Sequence, residues 1–203
     1  MQQIDDLNPP RPRACLRIGV TGHRIGAKLS EGQVAGVRAT IDTLLTEIRT
    51  LGTAAVARDA WAFDEQKLAL SVVSPLAEGA DRIVAEAGLA AGMSLRVILP
   101  FCRDDYRTDF ETEASKDAFD ALMGRAEAVM ELDGRRDAAA RAYEAAGLLM
   151  LANTDIVITI WDQAPADGIG GTALIVERAI ADGVPVILVD PAKPGTPSIL
   201  WRK

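Results

Sequence analysis

In this 203-residue chain, residue types suited to holding a phosphorylated ligand are concentrated in Asp162–Thr172 (DQAPADGIGGT). Gly170 and Gly171 lack the Cβ atoms that keep a phosphate or ribose off the main chain, and Thr172 adds a hydroxyl donor. The apolar run Ile156–Trp161 precedes this stretch and the helix-like segment Ala173–Asp182 follows it. A buried strand therefore leads through a glycine-rich turn into a helix, whose first N–H groups lack intrahelical partners and face the turn. A tight turn with a threonine cap would use the same residues. Binding is favoured because other strand ends carry similarly polar, turn-rich sequence.

Those other ends supply the remaining candidates. Thr21, Gly22, His23 and Arg24 follow the first strand. Gly22 would let the backbone approach a ligand, Arg24 could fork onto phosphate, and His23 is the only imidazole in the chain. Glu78, Gly79 and Asp81 follow the second strand. Their carboxylates suit ribose hydroxyls, but equally suit the start of a helix. Pro100 and Phe101 close the third strand, and Trp161 and Asp162 the fifth. Phe101, Tyr106 and Trp161 would sandwich a base or fill the core. Tyr143 faces either the site or the core. No second titratable group is tied to His23 by spacing, so no acid–base pair is identified.

The elements that must position these residues alternate strand and helix throughout. Residues 1–13 contain Pro9, Pro10 and Pro12 and read as an extended lead-in. Strands are expected at Cys15–Thr21, Leu68–Val73, Leu95–Leu99, Ala128–Leu132, Ile156–Trp161 and Val184–Val189. The first helix, from about Ser30, has Val34, Val37, Ile41, Leu44, Leu45 and Ile48 at helical spacing and should stop at Gly52. Thr53–Gln66 reads as a loop or short hairpin with Trp61 and Phe63 on one face. A helix runs from Ser74–Asp81 to near Gly92, a polar loop covers Cys102–Thr108, and helices follow at Asp109–Met123 and Asp137–Ala152. From Pro191 the chain returns to the surface. The expectation is one Rossmann-like, doubly wound α/β domain over residues 14–203. Its mostly parallel sheet has six or seven strands, with helices on both faces. Ligands of such sheets bind beyond the carboxyl ends of the strands.

Composition narrows the class. Hydrophobic residues make up 49% and charged residues 25%, as in globular domains. The formal charge of −7 argues against direct binding to nucleic acid or to an anionic membrane. One histidine and two cysteines with no CxxC spacing make a metal site improbable. Cys15 and Cys102, beside apolar runs, are expected in or near the core. No run reaches membrane-spanning length and the first residues lack a leader's apolar stretch, so the default compartment is the cytoplasm.

The motifs Gly19–Arg24 (GVTGHR), Ser74–Asp81 (SPLAEGAD), Leu99-Pro100-Phe101 with Tyr106 and Asp109-Phe110, and Ile160-Trp161-Asp162 with Gly170-Gly171-Thr172 resemble the SLOG superfamily of SMF/DprA and LOG-like Rossmannoid proteins. Together they span Cys15 to Asp190. The resemblance implies a nucleotide or nucleotide-derived ligand, no required cofactor, and commonly a homodimer; many members look like sensors in bacterial stress or defence systems. LOG-type phosphoribohydrolases place a glutamate three residues after the Gly-Thr threonine. This chain has Ile175 there, and Glu177 lies about 200° further round the helix. A nucleotide-binding, sensor-type protein is therefore the expectation. An N-glycosidase using Glu78, Asp81 or Asp162 is one alternative, and an interaction subunit with a vestigial pocket is another.

Overall fold

The computed structural model describes residues 10–26, 28–165 and 171–201. Seven strands form one sheet in the order β4-β3-β2-β1-β5-β6-β7. They are β1 (Arg13–Gly22), β2 (Asp64–Ser74), β3 (Ser94–Leu99), β4 (Ala128–Glu131), β5 (Ile156–Ile160), β6 (Val186–Val189) and β7 (Ser198–Leu200). All neighbours pair in parallel except β7, which returns antiparallel on β6. The chain winds outward from β1 to β4, then crosses back to β5 and winds the other way. Order therefore reverses between β1 and β5, which is where a crevice opens in such sheets.

Alternation along β1 divides the core. Ile18 and Val20 join a large cluster with Val37, Ile41 and Leu45 of α1 (Glu31–Arg58) and Ile83 and Val84 of α2 (Ala80–Ala90). Phe119 of α4 (Glu113–Met123) belongs to the same cluster. Gly19, between them, faces α5 (Ala139–Ala152), close enough that a Cβ would lie 2.5 Å from Met150 Sδ. On that side Met150 and Ala146 pack with Ile175 of α6 (Thr172–Ala181). Both faces of the sheet are thus covered, as a parallel sheet requires.

Several local expectations change. Helix α1 does not stop at Gly52; it continues to Arg58, and Val56 is buried. Gly52 is an interior helix position where a Cβ would collide with Leu68 Cδ2 at 2.4 Å, so its missing side chain serves packing on β2 rather than termination. The supposed loop or hairpin over 53–66 is the last turns of α1, a turn, and the start of β2 at Asp64; Trp61 projects into solvent at 76% exposure. A five-residue helix α3 (Arg103–Arg107) occupies the expected polar loop, and α4 begins at Glu113 with Thr112 Oγ1 accepting the Ser115 N–H at 3.1 Å. Cys15 and Cys102 are exposed, not core residues. The proline-rich end adds strand β7. Ser30 caps α1 as expected, its N–H donating to the Gln33 side chain at 2.9 Å.

At the end of β1 the backbones close up. The His23 N–H donates to the Ile160 carbonyl at 3.0 Å, and the His23 carbonyl accepts the Ala80 N–H at 3.1 Å. A Cβ on Gly22 would lie 2.6 Å from Ile160 O and 2.5 Å from Ala80 Cβ. Gly22 is therefore a packing requirement of the β1–β5–α2 junction. Gly22→Ala is expected to cost about 1–3 kcal/mol by overpacking, a fall in Tm of roughly 2–10 °C, measured by thermal unfolding.

Candidate functional site

A cavity of about 380 Å³ lies beyond the carboxyl end of β1, at the reversal of strand order. Its floor is Val20 to Arg24, with Pro75 and Ala77 from the β2–α2 loop on one side. The start of α6, through Gly171, Thr172 and Ala173, forms another wall. Helix α5 contributes Tyr143, Ala146, Gly147 and Met150, which recur at the i, i+3, i+4, i+7 spacing of one helix face. Pro100 and Tyr106 close the far end, and Trp161, Ala164 and Pro165 close the near one.

Of the residues singled out from sequence, Thr21, Gly22, His23, Arg24, Asp81, Pro100, Trp161, Gly171 and Thr172 line this cavity. Gly170 lies outside the described residues. Phe101 does not line it: the ring is fully buried beneath the Arg136 guanidinium, 4.0 Å from its centroid. Glu78 does not either. Its carboxylate accepts from the Ser115 hydroxyl, tying the β2–α2 loop to α4. Gly79 caps α2 at φ +92, and a Cβ there would meet His23 O at 2.4 Å, so it serves the loop crossing rather than a ligand. Asp162 stands behind the wall and fixes the loop that follows β5.

That loop is held by two side chains. His23 Nε2 lies 2.8 Å from Asp162 Oδ1, and the same carboxylate accepts the Ala164 N–H at 3.0 Å. The Trp161 indole N–H donates to the Ala164 carbonyl at 3.1 Å. Burial acts to raise the Asp162 carboxyl, but the Ala164 N–H and His23 outweigh it and hold the pKa below its ordinary value. The only histidine therefore has one ring nitrogen committed to positioning the wall.

The electrostatics of the cavity are uneven. At one wall the first N–H groups of α6 bring the positive end of the helix dipole, and no atom of the described residues lies within 4 Å of a Cβ built on Gly171. Arg24 and Lys28 line the cavity as cations. Arg24 is near enough to Asp81, Tyr106 and Tyr143 to favour the anionic form of each. Asp81 is the only carboxylate among the described lining residues. Burial dominates it and raises its pKa to about 7, against the opposing pull of the Ala77 N–H, Arg24 and Arg82. The Ala77 N–H donates to Asp81 Oδ2 at 3.2 Å.

Ile175, at the position where the LOG enzymes carry glutamate, lines the cavity as an apolar side chain. Glu177 lies on the outer side of α6 beside Glu144 and Leu148. Lys28, Ala146 and Met150 are cavity residues that the motifs did not single out. The α5 face was readable as a periodicity, but which side of the sheet it covers depends on strand order. Among the described residues no group of three or more His, Cys, Asp or Glu could hold a metal ion, and no helix is long and apolar enough to cross a membrane.

No protein-family model matches the sequence, and no curated protein matches it. The structure is similar to DNA processing protein A (DprA) from Streptococcus pneumoniae, with a TM-score of 0.50 and 18% identity. That match covers 88% of this chain and 50% of the other. It is also similar to DNA processing protein A from Helicobacter pylori, at a TM-score of 0.50 and 15% identity over 85% of this chain and 64% of that one. The chain thus spans half to under two thirds of the length of these proteins. At such identity the likeness bears on the fold alone, a Rossmann-like α/β fold shared with these proteins. One expectation is overturned: the Helicobacter protein is described by its single-stranded DNA binding mode, so exclusion of direct nucleic-acid binding does not hold for this fold. Net charge averages over the whole surface, whereas binding depends on the local field at a cleft.

The raised Asp81 pKa has a defined consequence for stability. Its folded value of about 7 lies above the ordinary 3.8, so the native state binds the extra proton between these values. The stability linked to that proton is fully present below pH 3.8 and is lost as pH rises through 7. Relative to Asp81→Asn, the wild type should lose stability steadily from about pH 4 to 7 and then level off, measured by urea midpoints across that range.

Proposed function

We propose that this protein binds a nucleotide at the β1–β5 crevice, as a binding or sensing protein rather than a hydrolase. The supporting observation is the polarity of one cavity. The amides that begin α6, joined by Arg24 and Lys28, suit a phosphate, while Tyr143, Pro100, Met150 and Ile175 suit the face of a base. A volume of about 380 Å³ is at the small end for organic ligands and fits one nucleotide unit better than a dinucleotide. Asp81 is the only carboxylate among the described lining residues, and the lining imidazole, His23, is held by Asp162 through Nε2.

A second reading follows from the Helicobacter likeness: the nucleotide unit could belong to single-stranded DNA. Thermal shift separates the two. AMP at 100 times its Kd should stabilise the protein by about 2.7 kcal/mol, or roughly 5–10 °C. A shift with a short oligodeoxynucleotide but not with AMP would transfer the site to nucleic acid, and no shift with either, nor with ADP-ribose or NAD, would mark the cavity as vestigial. Release of free adenine from AMP would overturn the sensor reading. Gly171→Val tests the phosphate wall. Its φ of −81 is ordinary and no atom of the described residues lies within 4 Å of the new Cβ, so Tm should stay within about 5 °C while the AMP shift disappears.

A further inference from the structure

The far end of the cavity holds a hydroxyl that no described residue engages. Tyr106 lines the cavity and is only 1% exposed, its ring packed on Phe101, Phe110 and Phe119 at centroid distances of 6.4, 5.3 and 5.8 Å. The Tyr106 side chain makes no hydrogen bond among the described residues. The fully enclosed side-chain polar atoms without a partner, among those residues, are Arg82 Nη2 and Thr159 Oγ1. Tyr106 Oη is not one of them, so its ring is sealed while its hydroxyl meets the cavity. Buried polar groups are nearly always satisfied, and this one is left for something that enters.

Asp81 stands near it. Its Oδ2 accepts the Ala77 N–H at 3.2 Å, and Oδ1 makes no hydrogen bond among the described residues. Burial raises the Tyr106 phenol above its ordinary range, the Asp81 charge adds to that, and Arg24 opposes it. Tyr143 differs, because its hydroxyl donates to Asp109 Oδ2 at 2.5 Å and only its ring is left to the cavity. The cavity is therefore lined by both a carboxyl oxygen and a phenolic hydroxyl that have no hydrogen-bond partner among the described residues.

We infer that Tyr106 and Asp81 form a hydroxyl-reading pair that selects ribonucleotides over 2′-deoxyribonucleotides. The inference rests on the nucleotide reading above. A phosphate is ill matched to a carboxyl group and is better served by the α6 amides, whereas a base face is served by the apolar walls. The vicinal hydroxyls of ribose supply both donors and acceptors, which the carboxyl and the phenol complement. The pair would discriminate against a deoxy ligand because the missing hydroxyl leaves the buried partners unsatisfied.

The test compares AMP with 2′-deoxy-AMP by calorimetry on the wild type and on Tyr106→Phe, which keeps the packed ring and removes only the oxygen. The wild type should bind AMP about tenfold more tightly, and the variant should bring the two affinities to within about twofold. Equal affinities in the wild type would overturn the hydroxyl-reading role and leave nucleotide binding intact. Absence of binding by either ligand would overturn both. A preference that survives in Tyr106→Phe, or in Asp81→Asn, would assign selection to another group. The wild-type comparison stands whether or not a variant folds.

Discussion

Three backbones meet where β1 ends, and the site depends on that contact. Gly22 lies against the Ile160 peptide and Ala80, and His23 uses both its N–H and its carbonyl to bind β5 and α2. The junction fixes the mouth of the crevice as part of the sheet rather than as a loose loop. It also explains why glycine stands at both 22 and 79: each lets one main chain cross another at contact distance. The cavity is what remains beside this junction once α5 and α6 have packed on the opposite face.

Around it, polar side chains spend their bonds on holding loops. Leu76 sits at φ +59, a conformation costing a non-glycine residue about 1–2 kcal/mol, and is locked there from both ends. Its N–H donates to Ser74 Oγ at 3.0 Å, and its carbonyl accepts Arg82 Nε at 3.1 Å. Arg82 also reaches Ser115 and lies over the Phe110 ring at 4.2 Å, while Glu78 binds Ser115 from the other side. These groups build a rigid wall from which Asp81 projects. On the opposite rim, His23, Asp162 and Trp161 do the same for the loop after β5.

The contrast between charge as a sum and charge as a field runs through the molecule. A chain of net charge −7 still places Arg24, Lys28 and a helix N-terminus around one cavity. Most other arginines are spent on carboxylates, as in Arg17 with Asp155 or Arg107 with Asp120. Pairing of this kind leaves the global balance acidic without deciding what the crevice attracts.

The sequence alone determined the alternation of strands and helices, because buried parallel strands are continuous apolar runs and the helices carry their own periodicity. It also located the strand ends, so nine of its fourteen candidate ligand residues fall on the cavity wall. It misjudged Gly52, since a glycine that makes room for Leu68 looks the same in sequence as one that ends a helix, and it did not foresee that Gly22 and Gly79 also make room for Ile160 and His23. It placed Glu78 and Phe101 in the site because they stand beside residues that are there, but a neighbour along the chain points another way. Only the tertiary structure decided that α5 turns Tyr143 and Met150 onto the crevice and that Glu177 faces outward, because those directions depend on how distant segments pack across the sheet.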